Sequence, residues 1–156
     1  MNEEVKVFGH VYGQIEHKDG TKVPFDFPNT ILSKGRQALA SSLAKNFTGD
    51  FEFYISRMLF GDGGTTEDGI KKYVNTSRDG LFGTLVASKP VMSSVDSNMP
   101  YQAIFTSVLR FDEANGLINE MALQMSNGNL YSMVTFPDLN KSDEMQITFN
   151  WRLSFV

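Results

Sequence analysis

The sequence predicts a mainly β protein, an antiparallel β-sandwich with one α-helix in its N-terminal third. Three observations carry that expectation. The stretch MQITFNWRLSF, Met145 to Phe155, sets large apolar residues at every second position, with Gln, Thr, Asn, Arg and Ser between them. That is the period of a strand with one face on a core. Two dipeptides favoured in tight hairpin turns, Asp19-Gly20 and Asn127-Gly128, each separate a pair of alternating runs. One stretch alone, Pro28 to Phe47, repeats its apolar residues at helical spacing.

Taken in order, Val5, Val7, Val11 and Ile15 alternate toward the Asp19-Gly20 turn. KVPFDFPN reads as the return strand, and Pro24 places it at a sheet edge. The helix follows, with Ser33 as N-cap and Leu39, Leu43 and Phe47 on one face beside Ala40 and Ala44; TGD ends it. Phe51 to Gly61 clusters its apolar residues as a strand buried on both faces does. From Gly61 to Gly83 the chain is rich in Gly, Thr and Asp, which predicts a long loop with a short turn near Tyr73. FGTLVASKPVMSSV reads as one strand. YQAIFTSVLRFDEANG is another, with Phe105, Leu109 and Phe111 on one side and Ile104 and Val108 on the other. LINEMALQMSNGNLYSMVTF is a hairpin turned at Asn127-Gly128, with Met121, Met125 and Met133 on a core face. PDLNKSD reads as a loop into the last strand.

Composition narrows the function classes. A chain of 156 residues fits one domain. A net charge of -4 argues against a nucleic-acid partner. No apolar run approaches the roughly 18 residues of a membrane span, and the acidic N-terminus is no signal peptide. Absence of Cys excludes disulfides, thiolate metal sites and thiol catalysis. The sequons at Asn46, Asn75 and Asn140 are expected by chance.

Catalytic and metal constellations are not expected. His10 and His17 are an odd number apart on one strand, so they face opposite ways, as solvated edge residues. Asp62, Glu67 and Asp68 lie in a Gly-rich loop but lack the alternating ligands of a calcium loop and the Lys of a phosphate loop. Asp112, Glu113 and Glu120 read as solvated turn charges. No cofactor is implied. The alternating Phe and Trp residues read as core rather than as a base-stacking platform. What remains is the 61–83 loop. Ile70, Tyr73, Leu81 and Phe82 are apolar residues that a purely solvated loop would not need, and they make it a candidate docking loop, mobile when free and ordered on assembly; the alternative is that Leu81 and Phe82 begin the next strand and pack in the core.

Three stretches together resemble a known family. NTILSKGRQALASSLA is similar to the first helix of the N-terminal anchoring or collar domain of phage tail fibres. ISRMLFGDGGTT resembles the strand and Gly-rich turn that follow it there. The closing segment resembles that family's order of an E-M-A-L strand (Glu120 to Leu123), a G-x-L return strand (Gly128 to Leu130), a Lys-Ser loop (Lys141-Ser142) and a final amphipathic strand from Met145. The match spans most of the chain from Asn29 onward. Residues 1–28 then form a hairpin extension and 29–156 an anchor-like sandwich, within one domain. The chain reaches Val156 directly after the last strand, so the resemblance implies a fibre-attachment-like domain without a shaft. It implies a non-enzymatic virion structural protein of a contractile-tailed phage, made in the host cytoplasm. Such a protein docks on other virion proteins of the tail, neck or collar region and forms a homo-oligomer. The alternatives are a head decoration or cement protein and a carbohydrate-binding β-sandwich. The last would need exposed aromatics drawn from Phe8, Tyr12, Tyr73, Phe82 and Tyr101.

Overall fold

The computed structural model describes residues 4–44 and 53–156. Two five-stranded antiparallel sheets face each other. The elements in chain order are β1 (Val7–His17), β2 (Lys22–Pro28), β3 (Thr30–Ile31), α1 (Ser33–Ser42), β4 (Ile55–Gly61), β5 (Leu85–Pro90), β6 (Met92–Ser94), β7 (Gln102–Leu109), β8 (Gly116–Met125), β9 (Leu130–Lys141) and β10 (Met145–Phe155). The first sheet runs β2-β1-β10-β7-β6 and the second β3-β9-β8-β4-β5.

The alternation of the last strand does what its period requires. Ile147, Phe149, Trp151 and Leu153 are buried, while the residues between them face outward. β10 is the central strand of its sheet, paired along its length with β1 and with β7. The first hairpin is therefore no appendage: β1 pairs with β10 from Val7 to His17, and Val11 is fully buried against Trp151's strand. β2 lies at the edge, where Pro24 costs no ladder bond.

Both lateral sides of the sandwich are turned by strands that change sheet. Asn29 links β2 in the first sheet to β3 in the second, and Val91 links β5 in the second to β6 in the first. FGTLVASKPVMSSV is thus two strands in different sheets rather than one. Pro90 ends the first of them, and such switches make the corners of a sandwich. PDLNKSD also departs from expectation. Pro137 to Lys141 belong to β9, leaving Ser142 to Glu144 as the turn. The register accommodates them through an irregularity. Ile118 faces Leu139 and Glu120 faces Thr135, so Phe136, Pro137 and Asp138 lie opposite Asn119 alone.

The helix turns a different face inward from the one its leucines suggest. Gly35 and Ala38 are buried, whereas Leu39 borders solvent and Leu43 is 86% exposed. The cause is close approach: a Cβ at Gly35 would strike the Tyr131 carbonyl of β9. Leu32 rather than Ser33 is the N-cap, and it makes no side-chain cap bond. The Ser33 N–H donates instead to the Thr76 carbonyl at 2.7 Å. Phe47, TGD and Phe51 lie outside the described residues.

Two apolar layers result. Between the sheets lie Phe60, Met121, Met125, Phe149 and Trp151 with their neighbours. On the outer face of the second sheet, Leu32, Leu59, Val74, Ala122, Leu130 and Met133 form a smaller cluster, with Leu81 and Phe82 packed on it. Met133 therefore faces away from Met121 and Met125. This second layer explains why Met58, Leu59 and Phe60 are buried in succession: β4 is covered on both faces.

Candidate functional site

The cover of that second layer is the segment between β4 and β5, residues 62–84. Its first part folds back as a small arch. Thr65 bridges Lys71, the Thr66 N–H donates to the Ile70 carbonyl at 2.8 Å, and the Lys72 N–H donates to the Gly64 carbonyl at 2.8 Å. Gly69, with φ 77°, turns the tip.

Two side chains of β8 hold the arch from beneath. The irregular register opposite Phe136 to Asp138 directs both Asn119 and Glu120 at it. Glu120 is fully buried. Its Oε1 accepts from the Gly63 N–H (3.0 Å) and the Gly83 N–H (2.8 Å), and its Oε2 accepts from the Phe82 N–H (2.8 Å). One carboxylate thus closes both ends of the segment together. Asn119 Oδ1 accepts from the Gly64 N–H at 2.6 Å, and its Nδ2 donates to Thr65 Oγ1 and to Asp138 Oδ1. Gly63 has to be glycine here, because a Cβ would meet the Gly83 backbone. Asp62 Oδ1 accepts from the Thr84 N–H at 2.8 Å, and the Thr135 hydroxyl donates to the Lys72 carbonyl at 2.7 Å.

The expectation that Glu120 is a solvated turn charge is therefore wrong. The residue sits in β8 with three backbone donors, the compensation a buried carboxylate requires. Glu113 does lie in a turn, where it accepts from Lys89 Nζ at 2.7 Å. That bond, followed by one from the Arg110 N–H, holds its carboxyl below the usual range. Lys141 is a second buried charge that sequence reasoning missed. Its Nζ donates to Asn115 Oδ1 at 2.9 Å and reaches the Phe111 and Ser142 carbonyls. Burial lowers its pKa from the usual lysine value, partly offset by Glu113, Asp112 and Asp143.

The four expected docking residues separate into two pairs. Ile70 is 64% and Tyr73 83% exposed, on the arch and at its base. Leu81 and Phe82 instead pack on the second apolar layer. The Phe82 ring lies under the Arg78 guanidinium at 3.7 Å, with Lys72 Nζ at 5.2 Å, and Arg78 donates to the Gly80 and Leu81 carbonyls. Glu120, Asn119 and Thr135 hydrogen-bond it to β8 and β9.

The other sequence candidates are scattered. His10 pairs with Asp26 at 2.9 Å on the outer face of the first sheet, and His17 sits at the far end of β1. Among the described residues, no three His, Asp or Glu side chains are grouped to hold a metal ion, and no helix is long and apolar enough to cross a membrane. Phe8 and Tyr12 lie on β1 in the first sheet, while Tyr73 and Phe82 lie over the second, so the five aromatics form no single platform.

The class defined by this geometry is a two-sheet antiparallel β-sandwich carrying a hydrogen-bonded arch over one sheet. Comparison with known protein families, curated proteins and solved structures finds no match to the chain.

Proposed function

We propose that the protein is a non-enzymatic virion structural protein of the tail, neck or collar region, docking on a symmetric scaffold through the segment at residues 62–84. The observation that carries this reading is the exposure of Ile70 and Tyr73 on a segment that Glu120 and Asn119 fasten from below. An exposed Tyr on a pre-ordered support gives contact area at small entropic cost, because the backbone is already fixed before contact. The resemblance of Asn29 onward to fibre-anchoring domains supplies the setting. Repeated copies on a scaffold imply a homo-oligomer with point-group symmetry. Head decoration and carbohydrate binding remain the rival readings, and the separation of Phe8 and Tyr12 from Tyr73 and Phe82 weighs against the second. Quantitative mass spectrometry of disrupted particles, separated into head and tail fractions, tests the reading. The protein is expected in the tail fraction; recovery with heads, or in no particle, would overturn it.

A further inference from the structure

Lys141 and Asn115 meet at the open end of the β8–β9 hairpin. Gly116, the first residue of β8, is the register partner of Lys141, the last residue of β9. Asn115 therefore stands one residue outside the ladder, within reach of the lysine. Lys141 is 3% exposed. Its Nζ donates to Asn115 Oδ1 at 2.9 Å and, more loosely at 3.4 Å each, to the carbonyls of Phe111 and Ser142. All three partners are neutral oxygens. No carboxylate among the described residues forms an ion pair with Lys141, and Glu113 is engaged by Lys89 and the Arg110 N–H.

A buried lysine held only by neutral groups gives up its proton more readily than an exposed one. Burial lowers the pKa of Lys141, against the opposing charges of Glu113, Asp112 and Asp143. A neutral amine at this spot is a nucleophile set beside an electrophile. Nζ already touches the carboxamide oxygen, one C=O bond from Cγ, and the two backbone carbonyls restrict it there.

We propose that Lys141 and Asn115 join in an intramolecular isopeptide bond. Nζ loses a proton, and its lone pair attacks Cγ of Asn115. The tetrahedral carbon collapses by breaking its bond to Nδ2. Asp112 and Asp143, whose charges reach Nζ, relay the protons of Nζ to Nδ2, which departs as an ammonium ion. An ammonium and a primary amide thus become a secondary amide and an ammonium ion, with no oxidant or added reactant. The product closes residues 115–141 into a ring. It seals the hairpin that carries Asn119 and Glu120 at the end opposite its Asn127-Gly128 turn, a covalent tie in a chain without Cys.

Intact mass of the purified full chain, fresh and after prolonged incubation at neutral pH, tests this without any substitution. The chain is expected to weigh one ammonia less than its sequence. Trypsin followed by tandem mass spectrometry is expected to give a branched peptide that joins Asn115 to an uncleaved Lys141. A succinimide at an Asn-Gly step also sheds ammonia, but it leaves the peptides linear and is opened by hydroxylamine. Full mass at both times, or a deficit carried by linear peptides alone, would overturn the proposal.

Discussion

Replacing Glu120 by Gln preserves the shape of the side chain but sets an NH2 group where one oxygen stood. That group then faces N–H donors from Gly63, Phe82 or Gly83, none of which it can accept from. Hydrogen bonds to a charged acceptor contribute about 1.5–3 kcal/mol each, and an unsatisfied donor costs about as much. Glu120→Gln is therefore expected to lower stability by about 2–3 kcal/mol, a fall in melting temperature of roughly 5–10 °C for a chain of this size. Hydrogen exchange at the Gly63, Phe82 and Gly83 amides should accelerate beyond that of β10 amides. Uniform exchange across the molecule would show that the carboxylate does not fasten the segment. The same scale separates the two pairs of apolar residues. Phe82→Ala removes a ring packed on the second apolar layer and is expected to cost about 2 kcal/mol. Tyr73→Ala touches a side chain that is almost wholly in water and should stay within about 0.5 kcal/mol. Urea unfolding of the two variants measures this contrast.

Among the elements, α1 is sensitive to a single methyl group. Gly35→Ala drives a Cβ into the Tyr131 carbonyl, and overpacking of that kind costs about 1–3 kcal/mol. Far-UV circular dichroism should show the loss confined to helix while the β signal persists; unchanged stability would mean that the helix docks some other way. The sequence misled here because Leu39 and Leu43 outweigh Gly35 and Ala38 on any hydrophobicity count, yet small residues are what let a helix backbone meet a strand. Strands were legible where one face is polar, as in β10, or where a turn dipeptide fixes a hairpin, as at Asn127-Gly128. The β5–β6 division was not, because a strand that changes sheet keeps an unbroken extended sequence. Glu120 was misread because a carboxylate near Asn115-Gly116 looks like turn decoration. Its signal was the apolar company of Ile118, Met121, Ala122 and Leu123, which cannot all face one core and so implied a covered outer face.

For the molecule as a whole, two carboxyls that tie elements together contribute to its acid response. Hydrogen bonds from Thr65 and then Asn119 hold Asp138 below the usual carboxylate range, and Lys89 does the same for Glu113. Both bind protons more weakly folded than unfolded. Their stabilisation is therefore complete above the unfolded values near pH 4 and is lost as pH falls through the lower folded ones. Thermal melts are expected to be flat from neutrality to about pH 5 and to fall below about pH 4; a melting temperature that rises on acidification would contradict these pairings. The proposed docking surface is the feature on which the functional account rests. Its most direct measurement is the amount of the double variant Ile70→Ser, Tyr73→Ala that enters particles, quantified against unaltered protein. The account predicts a variant that melts within a few degrees of the original and is missing from particles. A variant that folds normally and is incorporated at the original copy number would contradict it.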